Sequence, residues 1–156
     1  MYYPVAVEGA FFSVGDPHAA QGDSELGGTA IETSLTGDFE FVLHKQCDLG
    51  GTILEGLTHP LLETDEQWSV YGFTFPNYLA ELGPNAQVEV AQHGSIDKAM
   101  RDAFRKLRRF LMTVHHLSED EAIALMSVAA DFGVTQVVDA NWVVHGSIRR
   151  NDFTGI

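Results

Sequence analysis

The residues best suited to chemistry lie together in one glycine-rich loop, residues 15–28, with the sequence GDPHAAQGDSELGG. An imidazole beside carboxylates is the ligand set of zinc and similar divalent ions. Side chains alternate along an extended chain, so Asp16 and His18 share one side, as do Asp23 and Glu25. The spacing predicts either a metal or acid–base site or a polar turn whose acids cap backbone N–H groups. The candidate residues of this loop are Asp16, His18, Gln21, Asp23 and Glu25.

Two other kinds of site fit the sequence poorly. An EF-hand that began at Asp16 would need oxygen ligands at its third and fifth positions and a glutamate at its twelfth, where this chain has histidine, alanine and glycine. Neither Ser13 nor Ser24 lies in the Gly-x-Ser-x-Gly context of a nucleophile elbow. Cys47 has His44 three residues before it, but a single cysteine near a histidine is usually an accidental pairing.

The chain is strongly acidic, with 22 Asp and Glu against 9 Lys and Arg, a net charge of −13. Six basic residues and only two acids lie between Ser95 and His116, so this segment carries +4 and the remainder −17. An acidic surface repels phosphate groups, so neither nucleic acid nor an anionic membrane is an expected partner. We expect the basic segment to neutralise acids within the chain or across a dimer; the alternative is a solvated basic face without a partner.

The composition is that of a globular protein, 45% hydrophobic and 20% charged, and the length of 156 residues predicts a single domain, residues 1–156. No apolar run approaches the ~20 residues of a membrane helix, and the first residues lack the basic start of a signal peptide. Cys47 has no second cysteine for an internal disulfide, which suits a reducing compartment. The expected location is the cytoplasm.

Two helices are predicted in the second half of the chain. Apolar residues recur at three- and four-residue steps over residues 96–114, and Ser95 is placed to cap the first turn. Ser118 and Glu121 then have the spacing of a capping box that opens a second helix. The body of that helix, residues 122–130, is almost entirely apolar, so we expect it to be buried rather than half-exposed.

Alternating apolar and polar residues predict strands elsewhere, and Gly37-Asp38 predicts the turn of a hairpin. The order of elements predicts an α+β fold, with a β-rich N-terminal half, a two-helix layer at about residues 95–132 packed on a sheet, and C-terminal strands. The predicted strands are residues 2–7, 10–14, 29–36, 39–44, 68–75, 87–92, 134–138 and 142–148.

The run VEGAFFSVGDPHAAQGDSELGGTAIE, residues 7–32, resembles the signature block of the acetamidase/formamidase family. The stretch from LMSVAAD at residues 125–131 to QVVDANWVV at residues 136–144 is similar to the last segment of that family. The basic helix also falls where the family has one. The resemblance implies metal-dependent hydrolysis of a small linear amide, such as formamide or acetamide, to a carboxylate and ammonia. The implied cofactor is a divalent ion, zinc first and calcium as the alternative.

The resemblance also implies roles for individual residues. Asp16 and His18 are the expected metal ligands, and Glu25 is the expected acid–base group. Asp23 is a second catalytic carboxylate, which ligates the metal or orients His18. In such a site a divalent cation polarises the carbonyl of the amide, and a carboxylate moves the proton of the attacking water to the leaving nitrogen. The residues expected to contact the substrate are Gln21 and Asn141.

This chain departs from the family pattern in two respects. Ser24 stands where the family usually has glycine, and a block rich in His, Gly and Asn that precedes the signature in the family is missing. The chain therefore resembles the C-terminal half of an amidase. Three functions stay open: an amidase module, a non-catalytic subunit or remnant whose site needs a partner chain, and a metal-binding or sensor domain without turnover. The expected partners are a small amide, a second copy in a homodimer or higher homo-oligomer, and a separate N-terminal-half chain.

Overall fold

The structure, a computed structural model, describes residues 1–5 and 7–153. Helices pack on an antiparallel sheet, which confirms the predicted α+β fold class. The strands are β1 (His18–Ala20), β2 (Ile31–Glu32), β3 (Leu61–Glu63), β4 (Gln67–Phe73), β5 (Asp131–Gln136) and β6 (Val143–Arg149). The helices are α1 (Tyr78–Leu82), α2 (Ala86–Gln92), α3 (Ile96–Val114) and α4 (Glu119–Ala129), with short 3-10 turns at Gln46–Asp48, Gly83–Asn85 and Arg150–Phe153.

The main sheet has four antiparallel strands in the order β3-β4-β6-β5. Because side chains alternate along a strand, each strand divides its residues between two faces. Val70 and Val144 are fully buried on the face that α3 covers, while Tyr71 and His145 are paired neighbours on the other face. The core between sheet and helix contains Leu61, Trp68, Val70, Leu107, Phe110, Leu111, Met126 and Ile148.

Helix α3 begins and lies where the sequence predicts. The Ser95 side chain accepts a hydrogen bond from the backbone nitrogen of Lys98, as expected of an N-cap. The helix approaches β4 closely at Gly72, where a Cβ atom would overlap the backbone nitrogen of Ala103 and the backbone oxygen of Ala99. Glycine on the strand and alanine on the helix therefore allow the two backbones to pack together.

Polar side chains of α3 hydrogen-bond to backbone groups of β4 that lie beyond the end of β3. Strand β3 pairs only with residues 68–70 of β4. Lys106 Nζ donates to the backbone oxygen of Tyr71 at 2.8 Å, and the Asp102 carboxylate accepts from the backbone nitrogen of Phe73 at 2.9 Å. The two side chains also pair with each other at 2.7 Å and are only 13% and 14% exposed. Burial lowers the pKa of Lys106, while Asp102 acts in the opposite direction.

Helix α4 confirms one prediction and corrects another. The capping box is present: the Ser118 side chain accepts from the backbone nitrogen of Glu121, and the Glu121 side chain accepts from the backbone nitrogen of Ser118. The helix is not buried on all sides, however, since only Ala122 and Met126 are buried and Val128 is 84% exposed. Leu125 and Ala129 pack against the same core but are only partly buried, so the apolar composition overstated the burial.

The strand predicted at residues 87–92 is wrong, because this segment forms helix α2. Ala86 and Val90 are its buried residues, and their four-residue separation is a helical period. Pro84 lies in the 3-10 turn just before, a position at which its missing N–H costs nothing. Seven residues are too few for the sequence pattern to separate a strand from a helix.

The hairpin predicted over residues 29–44 does not form. Strand β2 covers only Ile31–Glu32, and it pairs with β1 instead of with residues 39–44. The segment at 10–14 is not a strand either, and Phe11 is fully exposed. The prediction for residues 2–7 includes residue 6, which lies outside the described residues. Within the described part of the chain, no helix has both the length and the apolarity needed to cross a membrane.

Candidate metal centre

The short β1–β2 ladder brings together the first residues of the site. His18 is the register partner of Glu32, and the pairing continues through the Thr33 backbone nitrogen, which donates to the Pro17 oxygen at 3.1 Å. Asp16 lies just before β1 in the left-handed region, with φ of 55°. His18 Nε2 is consequently 3.4 Å from a carboxylate oxygen of Asp16 and 3.4 Å from one of Glu32.

A hydrogen bond to Gln21 determines how the His18 ring presents its nitrogens. Nδ1 lies 2.6 Å from Gln21 Oε1, and because an amide oxygen only accepts, Nδ1 is the donor. In the neutral ring Nε2 then carries the lone pair, which is the state a metal ligand needs. The bond to Gln21, followed by the charges of Glu32 and Asp16, raises the pKa of His18 above its usual value, against the burial of the ring.

Three of these side chains lie close enough together to hold a divalent ion. One ligand atom from each of Asp16, His18 and Glu32 lies within 4.8 Å of the other two. Nε2 is itself buried and has no hydrogen-bond partner among the described residues. A histidine and two carboxylates give the three protein ligands of a catalytic zinc site, which keeps its fourth position open. The carboxylates of Asp16 and Glu32 are 82% and 66% exposed, so the cluster is open to solvent.

Asp23 lies with a histidine of the main sheet rather than with His18. One of its oxygens accepts from the Ser24 backbone nitrogen at 3.0 Å, and the other is 4.0 Å from His145 Nε2. His145 Nδ1 lies 2.8 Å from Thr135 Oγ1. The ring of His145 sits over Gly133, where a Cβ atom would be 2.6 Å from Nε2. The structure thus adds an Asp23–His145–Thr135 chain that the sequence pattern did not reveal.

The backbone around Glu25 is held against the end of β5. Ser24 forms a parallel bridge with Gln136, and the Glu25 carbonyl accepts from the backbone nitrogen of Val138 at 3.0 Å. Ser24 and Glu25 both have positive φ, 82° and 35°. Among the described residues, the Glu25 carboxylate makes no hydrogen bond or ion pair, so its backbone is fixed while its acid group is uncommitted.

Both polar atoms of the Asn141 side-chain amide hydrogen-bond to the backbone. Its Oδ1 accepts from the Phe75 nitrogen at 3.0 Å, and its Nδ2 donates to the Phe75 oxygen at 2.9 Å. Asn141 therefore ties the loop before β6 to the end of β4. A substrate contact at Asn141 stays a prediction; these two bonds leave a second lone pair on Oδ1 and a second N–H on Nδ2 for it.

The structure therefore brings three of the predicted residues together and adds one. Asp16, His18 and Gln21 form one cluster, and Asp23 and Glu25 lie on the following turn at the end of β5. Glu32, which the sequence analysis missed, completes the cluster. Glu32 could have been found from the position of the loop between two extended segments. Antiparallel pairing of such segments places residues from both sides of the loop next to each other.

The sequence model of the acetamidase/formamidase family matches residues 1–149. The chain belongs to this family. It is also similar to the crystal structure of an acetamidase from Bacillus halodurans, with 23% sequence identity and a TM-score of 0.46. That match covers 62% of this chain and 27% of the acetamidase chain. None of the curated proteins compared with the chain matches it.

Proposed function

We propose that this member of the acetamidase/formamidase family contributes a divalent-metal site for the hydrolysis of a small linear amide to a carboxylate and ammonia. The observation that carries the proposal is the position of His18 Nε2, which is shielded from solvent, makes no hydrogen bond with the described residues, and lies 3.4 Å from carboxylate oxygens of Asp16 and Glu32. Membership of the family supports the choice of amide chemistry. The substrate class is of the formamide or acetamide type.

Zinc is the proposed ion because an imidazole ligand suits zinc, whereas calcium prefers oxygen ligands alone. A divalent cation held by Asp16, His18 and Glu32 would polarise the amide carbonyl and favour deprotonation of the attacking water. Gln21 orients His18 through Nδ1, which is a positioning role in place of the substrate contact that the sequence analysis predicts for it.

We assign the proton transfers to the turn that follows the cluster, which carries Asp23 and Glu25. Glu25 is proposed to accept the proton of the attacking water and return it to the amide nitrogen, which leaves as ammonia. Its carboxylate is free of other partners among the described residues. Asp23, 4.0 Å from His145 Nε2, is proposed to hold that histidine beside the same turn. The acid and the ammonia account for all atoms of the amide and the water.

The test is metal content and turnover measured on the same preparations. We expect about one zinc per chain, and His18→Ala and Glu32→Gln are expected to lower it sharply. Ammonia release from formamide should fall with added chelator and recover with zinc. Glu40→Gln is the matched control, because it removes an exposed carboxylate outside the cluster. Metal content that is unchanged in His18→Ala would contradict the site.

A second candidate is a non-catalytic subunit or remnant whose site a partner chain completes. The exposure of the Asp16 and Glu32 carboxylates, 82% and 66%, favours it, since a closed amidase site would shield them from water. This candidate predicts zinc binding without ammonia release by the chain alone. Turnover that appears on addition of an N-terminal-half polypeptide would support it, and turnover by the chain alone would exclude it.

A further inference from the structure

The face of the main sheet opposite α3 carries polar side chains beside the metal loop, the name used here for residues 15–28. Tyr71 and His145 are register partners on this face. Thr135 lies diagonally across from His145, because the register partner of His145 on β5 is Gly133. Side chains from three neighbouring strands, β4, β6 and β5, therefore meet at one place on the sheet.

The ring of His145 is held by its neighbours on the sheet. It lies against the bare backbone of Gly133, where a Cβ atom would be 2.6 Å from Nε2 and 2.7 Å from Cε1. Nδ1 is 2.8 Å from Thr135 Oγ1, and Nε2 is 4.0 Å from a carboxylate oxygen of Asp23. Both ring nitrogens thus face protein groups, and the side chain is only 25% exposed. This geometry gives His145 a positioning role rather than a contact with substrate.

Backbone hydrogen bonds tie the metal loop to the end of β5. The Ser24 oxygen accepts from the Val137 nitrogen at 3.1 Å, and the Glu25 oxygen accepts from the Val138 nitrogen at 3.0 Å. Only three residues, 21–23, separate Ser24 from the end of β1. The attachment to β5 therefore lies very close to the strand that carries the first ligand.

Asp23 is the side chain of the loop that faces the polar side of the sheet. One oxygen accepts from the Ser24 nitrogen at 3.0 Å, and the other is the one near His145 Nε2. Burial first, and then the charges of Tyr3 and Asp23, raises the pKa of Tyr71. The Asp23 carboxylate is therefore close to both members of the His145–Tyr71 pair.

We propose that side chains of the main sheet position the metal loop and thereby raise its affinity for the divalent ion, without ligating it. The inference rests on the proposed function, because the ion is the one assigned there. The positioning residues, called here the His145 support, are Gly133, Thr135 and His145. They act through Asp23, which is two residues after Gln21, and the Gln21 side chain orients His18.

A reciprocal effect follows from thermodynamic linkage. If the His145 support raises the affinity for the ion by some factor, the ion must stabilise the docked loop by the same factor. The N–H groups of Val137 and Val138 bond the loop, so their hydrogen exchange reports its docking. We expect zinc to slow exchange at residues 133–138, although none of the proposed ligands lies there.

The first test is zinc affinity, measured by competition with a chromophoric chelator. His145→Ala is expected to weaken binding about fivefold. His145→Gln keeps an N–H donor near the position of Nε2 and should recover most of that loss. His93→Ala is the matched control, because His93 is largely exposed at the end of α2. Urea unfolding of the zinc-free chains separates a loss of affinity from a loss of stability.

The second test compares two glycines that lie beneath rings on opposite faces of the sheet. Gly133→Ala should displace the ring of His145 and weaken zinc binding by a similar factor. Gly146→Ala should displace Phe132 on the face that packs against α3, since a Cβ there would be 2.6 Å from that ring. It is expected to lower stability and to leave zinc affinity unchanged.

A double-mutant cycle tests whether His145 acts through Asp23. If it does, Asp23→Ala and His145→Ala together should weaken zinc binding about fivefold, as His145→Ala alone does, rather than about 25-fold. Losses that multiply would show that the two residues act independently, and they would overturn the proposed route.

The outcomes separate this inference from the proposed function. Zinc affinity that is equal in the natural chain, His145→Ala and Gly133→Ala would overturn the inference and leave the metal site standing. Exchange at residues 133–138 that zinc does not change would also overturn it. A natural chain that binds no zinc would overturn both. The readouts are affinity and exchange, so the result does not depend on catalysis.

Discussion

Glu32 Oε2 lies 3.4 Å from His18 Nε2 because the two residues are register partners across the β1–β2 ladder. Glu32, 14 residues after His18, thereby joins Asp16 and His18, which the sequence spacing alone places together. The ladder is short, three residues against two, yet its register places Glu32 beside His18 as a candidate ligand. The site is thus built by backbone pairing on both sides of a glycine-rich loop.

Gln21→Ala is expected to lower zinc affinity about 10- to 100-fold without removing a ligand. The substitution takes away the acceptor of the His18 Nδ1 hydrogen bond, so the ring is no longer held with Nε2 towards the carboxylates. Competition with a chromophoric chelator measures the change. Gln92→Ala, at the exposed end of α2, is the control and should bind zinc as the natural chain does. Equal affinity in both variants would contradict the orienting role.

Asp102→Ala is expected to destabilise the fold by roughly 3–5 kcal/mol, because it leaves the Lys106 ammonium buried without its partner. It also removes the acceptor of the Phe73 backbone N–H. Urea unfolding followed by circular dichroism gives the free energy of unfolding. Asp97→Ala breaks an exposed pair with Arg101 on the same helix and should cost under about 1 kcal/mol. Similar losses in the two variants would show that α3 does not depend on the buried pair.

Gly72→Ala is expected to destabilise the protein by about 3 kcal/mol or more. The added methyl group would overlap the backbones of Ala99 and Ala103, and neither can move without shifting α3 from the sheet. Thermal unfolding measures the effect. Gly50→Ala is the matched control, since a Cβ there meets no atom within 4 Å. A near-neutral Gly72→Ala would mean that the helix packs further from β4 than the structure shows.

The free energy of unfolding is expected to fall as pH decreases below about 6.5, in part because of His115. Its ring stacks on Phe153 at 3.8 Å and contacts Trp68 and Phe110, and its Nε2 is buried without a hydrogen bond. Burial first, and then the neighbouring His116, lowers the pKa of His115 in the folded chain. The unfolded chain therefore binds the proton at a higher pH, and the stabilisation present above that pH is lost as pH falls through the folded pKa.

His115→Phe keeps the ring stack and removes the titration. We expect its free energy of unfolding to depend less on pH between about 7.5 and 5.5 than that of the natural chain. His93→Phe is the control, because His93 is largely exposed at the end of α2. Parallel pH curves for the natural chain and His115→Phe would show that this histidine does not contribute.

Local signals predicted the second half of the chain well. The N-cap at Ser95 and the capping box at Ser118 depend on atoms within four residues, so the sequence is enough to place the starts of α3 and α4. The segments that form β4 and β6 were also predicted as strands, at residues 68–75 and 142–148. The failures are α2, which is too short for its period to be seen, and the hairpin at 29–44, whose pattern lacks a partner strand.

The sequence by itself determined the family, the α+β class and the loop that carries the candidate ligands Asp16 and His18. These properties could be predicted because their signals come from the order and chemistry of neighbouring residues in the sequence. Only the tertiary structure decided that Glu32 lies beside His18, that Asp23 lies near His145, and that the amide of Asn141 hydrogen-bonds the backbone of Phe75, just after β4. Each of these contacts depends on how separate strands pair, and strand pairing is set by the shape of the whole sheet rather than by local spacing.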